Sequence, residues 1–199
     1  MKSWTNWMRP VAIGVILVLS WTAVSRSQEA APAANPDAAP VTAAIAVISP
    51  TAGNATAGWV KFTQTDAGVN VVADVTGLTP GKHGFHIHEW GDISDAAKGL
   101  ATGGHYDPEG THHHALIDIT HPELAPHHAG DMGNLDADAT GHAHLEITIA
   151  GITLMGPKDP IVGRAVIVHA GEDNGGQPTG NAGARVGQAV IGVANPAAK

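Results

Sequence analysis

The sequence contains no cysteine. No disulfide can staple the fold, and no thiolate can act as nucleophile or metal ligand. Large aromatic side chains are scarce, with 2 Phe, 1 Tyr and 5 Trp in 199 residues, so a core has to be built mainly from aliphatic groups. Basic residues are few, 10 against 18 acidic, which argues against nucleic-acid or anionic-membrane partners. No amphipathic segment of helical length is legible either, while 25 Gly and 13 Pro favour short strands and turns. The chain therefore reads as all-β, and with 43% hydrophobic residues it is long enough to bury one working core.

What is present begins with a leader. Lys2 and Arg9 precede an apolar run over 11–19, and Ala23 and Ser25 are small residues placed as at a secretory cleavage site. Residues 1–27 are expected to be a signal peptide cut near Ser25 or Ser27, directing the protein to the periplasm or outside the cell. The apolar run falls short of the roughly 20 residues that span a bilayer; an uncleaved anchor is the other reading. Residues 28–42 are an Ala/Pro-rich tether with nothing large to bury, expected to be disordered. The folded domain is expected over 43–195, with no membrane contact once the leader is removed. Loss of Lys2, Arg9 and Arg26 leaves 7 basic and 18 acidic residues, a formal charge of −11. An anionic substrate would then need a local positive site, for which metal ions and Arg185 are the candidates.

Within the domain, 44–48, 58–64 and 69–75 are strand-like and separated by turn residues, as three antiparallel strands would be. Strand character returns over 142–149, 164–169 and 187–193. Residues 89–140 are rich in His, Asp, Gly and Pro and read as one long functional connection on a rigid β scaffold.

The stretch His83-Gly84-Phe85-His86-Ile87-His88-Glu89-Trp90-Gly91-Asp92 carries the chemistry. On a strand, His86 and His88 share one face about 6–7 Å apart, while Phe85 and Ile87 share the other. Two neutral imidazoles converging from one strand suit copper or zinc. Partners come in order: Gly103-Gly104-His105-Tyr106-Asp107-Pro108, His112 to His114, His127-His128-Ala129-Gly130-Asp131, and Val168-His169. With Gly77-Leu78-Thr79-Pro80-Gly81-Lys82 and Gly180-Asn181-Ala182-Gly183-Ala184-Arg185, these segments resemble the copper/zinc superoxide dismutase family over about 43–195.

The resemblance implies an eight-stranded antiparallel Greek-key β-barrel, akin to an immunoglobulin-like sandwich, with a long metal-binding loop. It implies a superoxide dismutase that converts superoxide to oxygen and hydrogen peroxide using Cu and Zn. His86, His88 and His169 would be copper ligands, and His105 an imidazolate shared by copper and zinc. His128 and Asp131 would join His105 on zinc. The fourth zinc ligand is either His113, by the count from His105, or His114, because Ala115-Leu116 resembles the residues after the family's ligand. Asp173 would accept hydrogen bonds from one ligand of each metal. Arg185 would orient superoxide, a catalytic role beside that of His105, and the short segment 172–183, which lacks lysine, leaves guidance to Arg185 and the ions. His83 would be structural, with His112, His142 and His144 facing solvent. The family usually ties the loop before the shared histidine to the last strand by a disulfide; the matching positions here lie near 97–99 and at Gln188, and the link is absent. Losing such a bridge usually costs about 2–5 kcal/mol. An exported, noncatalytic copper/zinc-binding protein is the alternative. The oligomeric state stays open, a homodimer included.

Overall fold

The computed structural model describes residues 40–112, 114–116 and 126–195. The expected leader (1–27), most of the tether (28–39), His113 and His121 lie outside the described residues. Among the described residues nine strands occur in order: β1 (Ala43–Pro50), β2 (Ala57–Thr65), β3 (Gly68–Thr76), β4 (Gly81–His88), β5 (Asp131–Ala137), β6 (Ala143–Ile149), β7 (Ala165–His169), β8 (Arg185–Val190) and the two-residue β9 (Gly192–Val193). A 3₁₀ turn, Leu100–Thr102, interrupts the loop after β4. Among the described residues there is no α-helix.

The strands form one antiparallel sheet in the order β5-β4-β7-β8-β1-β2-β3-β6, with β9 added beside β1. Its end strands β5 and β6 approach each other, so the sheet nearly closes into the expected eight-stranded Greek-key barrel. Strands β1, β2 and β3 form the predicted meander, with Val47 opposite Trp59 and Trp59 opposite Asp74. Alternation explains the core: in β3, Val69, Val71, Ala73 and Val75 are fully buried while the residues between them are only partly so. Few aromatics are needed because Val, Ile and Ala side chains from strands β1 to β8 fill the interior, around Phe62 and Phe85.

One element departs from the sequence reading. Residues 89–140 are not a single connection, because β5 lies within them and pairs with β4, Gly81 opposite Ala137 and His83 opposite Leu135. Its sequence, DMGNLDA, has poor intrinsic strand preference. Burial of Met132 and Leu135 against the core, together with pairing to β4, overrides that preference. At the other boundary, His142 lies just outside β6, which begins at Ala143.

Candidate metal centre

Strand β4 is buried on both faces from His83 onward. Phe85 and Ile87 point into the core, and His86 and His88, equally buried, point the other way beneath the loop. Strand β7 lies antiparallel beside it and ends at His169. A bulge between Val168 and His169 then sets Arg185, the first residue of β8, opposite His169. The loop returns so that His105 makes an isolated bridge with His88. At the start of β5, Asp131 sits opposite His86, held in a tight turn in which its Oδ2 accepts the His128 backbone N–H at 3.1 Å.

These elements bring the side chains into two groups that share His105. His86, His88, His105 and His169 form one; His105, His114, His128 and Asp131 form the other. In each, one donor atom per residue lies within 4.8 Å of all the others. The rings of His86 and His105 have centroids 4.0 Å apart, while those of His105 and His128 are 5.4 Å apart.

The donor set fits metal ions, because the nitrogens facing these centres have nothing else to bond. His86 Nδ1, His88 Nε2 and His169 Nε2 in the first group, and His114 Nδ1 and His128 Nδ1 in the second, are buried without a hydrogen-bond partner. Such orphaned groups are costly unless something outside the protein chain satisfies them. His114 Nδ1 lies only 3.0 Å from Asp131 Oδ2 yet is not aligned to bond it, as expected when both atoms aim at a common point. Four imidazoles suit a redox copper ion, and three imidazoles with one carboxylate suit tetrahedral zinc.

The opposite ring nitrogens are anchored. His88 Nδ1 donates to the Gly103 carbonyl at 3.0 Å, and His169 Nδ1 to that of Gly183 at 3.1 Å. His86 Nε2 and His114 Nε2 each donate to Asp173, to Oδ2 and Oδ1 respectively, both at 2.8 Å. Asp173 thus ties one ring of each group. Gly180, with φ +78°, runs so close that any side chain there would strike Asp173 Oδ1. His83 is in neither group; its ring lies 2.7 Å from the His169 carbonyl and 2.8 Å from that of Thr79.

Electrostatics separate the groups. Burial holds His86 down to about 4 and His169 down to about 3, and it places His88 well below the usual histidine range. These three rings are neutral and ready to ligate at neutral pH. For His114, burial would also lower the pKa, but the adjacent Asp131 carboxylate and the hydrogen bond to Asp173 outweigh it and raise the pKa to about 9. Both carboxylates, despite burial, are held far below their ordinary value by the surrounding histidines. With no ion bound, the charged His114 stabilises the fold fully below its ordinary pKa of 6.5 and loses that contribution as pH rises through about 9. Zinc entering at neutral pH has to displace this proton. Calorimetry in buffers of different ionisation enthalpy should therefore show about one proton more released per zinc at pH 7 than at pH 10. An unchanged count would remove His114 as the proton carrier.

The first group opens on a cavity of 490 Å³ lined by His88, His105, His169, Thr179, Lys98 and Arg185, among others. Arg185 is fixed at its edge by donating to Thr102 Oγ1 at 2.9 Å, to the Gly103 carbonyl at 2.7 Å and to the Gly99 carbonyl. Lys98 corrects the expectation that Arg185 and the ions alone would guide an anion: the segment 172–183 indeed has no lysine, but the loop after β4 brings one to the same cavity. Of the remaining histidines, His112 is almost fully exposed. His142 and His144 are partly exposed beside Asp74, at 3.2 and 3.6 Å.

A family model, copper/zinc superoxide dismutase, matches residues 56–191. The curated relatives include "Superoxide dismutase [Cu-Zn]" of Onchocerca volvulus, 38% identical over 164 residues that cover 76% of this chain and 96% of that protein.

Proposed function

The chain belongs to the copper/zinc superoxide dismutase family, and we propose that it converts superoxide to oxygen and hydrogen peroxide with Cu held by His86, His88, His105 and His169, and Zn held by His105, His114, His128 and Asp131. The observation that carries this reading is the pair of histidine groups joined through one ring, the first opening on a cavity edged by a pinned guanidinium. Copper, when bound, supplies the one-electron couple that removes an electron from one superoxide and returns it to a second.

The chain's own residues supply the rest. Arg185 keeps its charge at any relevant pH and offers a planar fork of donors. Its bonds to Thr102 and Gly103 aim it across the cavity that His88 and His169 line, so a small anion entering there meets the guanidinium beside the ligand set. Lys98 adds a second positive charge on the approach, which matters in a mature chain of charge −11. His105 turns Nδ1 to Asp131 at 2.8 Å, leaving Nε2 on the side of the first group, where it can hold a proton for the peroxide product. A protein that merely stores metal needs these donors but no cation fixed beside the open side.

The test is metal analysis of the purified protein combined with superoxide consumption, on the wild type and on Arg185→Ala. The wild type should carry Cu and Zn and turn over. The variant should keep both ions and lose about 10-fold or more in kcat/KM, with a weaker dependence on ionic strength. Full loading without turnover in the wild type would overturn the enzymatic reading, and an unaffected rate in the variant would remove Arg185 from it.

We further propose that the mature chain starts after residue 25 or 27 and works outside the cytoplasm, which the leader composition supports; a recovered protein still carrying Lys2 would contradict it. A homodimer is proposed as well. Ile45, Val47 and Trp59 are exposed on one face of the adjoining strands β1 and β2, with Val47 directly opposite Trp59, an apolar face of the kind a second copy covers. Sedimentation should find a dimer that Val47→Glu dissociates, and a monomeric wild type would refute it.

A further inference from the structure

Where the resembled family places a disulfide, this chain has an amide. Gln188 lies in β8, between Ile167 of β7 and Ser49 of β1, and is 3% exposed. Its Nε2 donates to the Asp95 carbonyl at 3.2 Å and reaches the Ile93 carbonyl at 3.5 Å. Both partners can only accept, so the network fixes which end of the amide is nitrogen. Its Oε1 is buried with no partner and stands 3.2 Å from where a side chain on Gly99 would begin.

That unmet oxygen carries information. An aliphatic side chain of similar size would fill the space between strand and loop without burying an orphaned acceptor. What the amide adds is its grip on the two loop carbonyls.

The loop it grips is internally stiff. The Asp95 carboxylate accepts the backbone N–H groups of Ala97, Lys98 and Leu100 at 3.0–3.2 Å, and the Asp95 carbonyl accepts that of Gly99 at 2.8 Å. The far end of the same loop supplies Gly99, Thr102 and Gly103, the three acceptors that pin Arg185. The Gly103 carbonyl also anchors His88. Two side chains three residues apart on β8 therefore clasp the loop, Gln188 at its start and Arg185 at its end.

We propose that Gln188 is a positioning residue, a noncovalent strap that takes over the work of the missing crosslink and holds the loop so that Arg185 and His88 keep their places at the cavity. This depends on the dismutase reading only through what Arg185 does to substrate, and its structural half is measurable without turnover. The experiment uses the full, metal-loaded protein and compares the wild type with Gln188→Leu and Gln188→Asn; the first removes the donor at similar volume, and the second keeps an amide on too short an arm. Two readouts are taken: hydrogen exchange at the Lys98, Gly99 and Leu100 amides, and azide affinity at copper.

Both variants should keep Cu and Zn. Loop exchange should quicken and azide binding weaken, each by about 5- to 10-fold, the equivalent of one hydrogen bond's net contribution. Gly99→Cys combined with Gln188→Cys offers a rescue: oxidation should restore slow exchange, and reduction should abolish it. Wild-type exchange and azide affinity in whichever of Gln188→Leu and Gln188→Asn is recovered folded would overturn the proposal, as would slow exchange in the reduced double-cysteine protein. If the wild type shows no dismutase turnover, the enzymatic reading fails while the exchange result still decides the role of Gln188.

Discussion

His105→Ala is expected to bring superoxide consumption to background and to weaken the binding of both metals at once. His105 is the one side chain common to the two donor groups, and its ring lies 5.2 Å from that of His88 and 5.4 Å from that of His114. Its removal leaves three imidazoles for copper and two imidazoles with one carboxylate for zinc. His83 offers no replacement, because it is committed to the carbonyls of His169 and Thr79. Outer partners of metal ligands alone cost about 10–100-fold in affinity or activity, so loss of a shared ligand should cost at least about 100-fold in turnover. Metal content, the copper absorption spectrum and superoxide decay read the result together. Retention of both ions and of a sizeable part of the rate would show that the two groups work independently and would break the proposed role of the shared ring.

The histidines were the most legible part of this molecule because strand geometry is local. His86 and His88 two apart on an apolar strand, and His169 at the end of another, fix which way their rings point without knowledge of the loop. Loop residues carry no such rule. The count from His105 points to His113 and the residues that follow point to His114, and it is contact with Asp131 and Asp173 that brings His114 into the site; His113 lies outside the described residues. Strand β5 was hidden for a related reason: Gly, Asn and Asp argue against a strand, and only pairing with β4 supplies what their preferences withhold. The resemblance marked the position of Gln188 but not its bonds, and Lys98 was beyond reach, because each acts across a distance that tertiary folding sets, Lys98 on the cavity wall and Gln188 some 90 positions from the carbonyls it holds.

Asp173 should give the second large effect, with an asymmetry that geometry determines. Its carboxylate accepts from both His86 Nε2 and His114 Nε2, which leaves Nδ1 of each ring free to ligate. The residue is itself fixed: its backbone N–H donates to Asn134 Oδ1 at 2.8 Å, its carbonyl accepts from Asn134 Nδ2 at 2.9 Å, and its Oδ1 accepts the Gly175 N–H at 2.9 Å. Asp173→Ala frees both rings to turn or change tautomer, and should weaken copper and zinc alike by about 10–100-fold. Asp173→Asn should not. An amide presents one acceptor and one donor, and the Gly175 N–H requires the oxygen on the side that faces His114. The His114 ring can then keep its tautomer. On the other side, the amide nitrogen would donate to His86 Nε2, which forces the His86 proton onto Nδ1, the atom needed for copper. Asp173→Asn is therefore expected to hold zinc far better than copper in chelator competition, whereas Asp173→Ala releases both. Equal losses in the two variants, or preferential loss of zinc from Asp173→Asn, would mean that Asp173 acts through its charge and not through the tautomers it imposes.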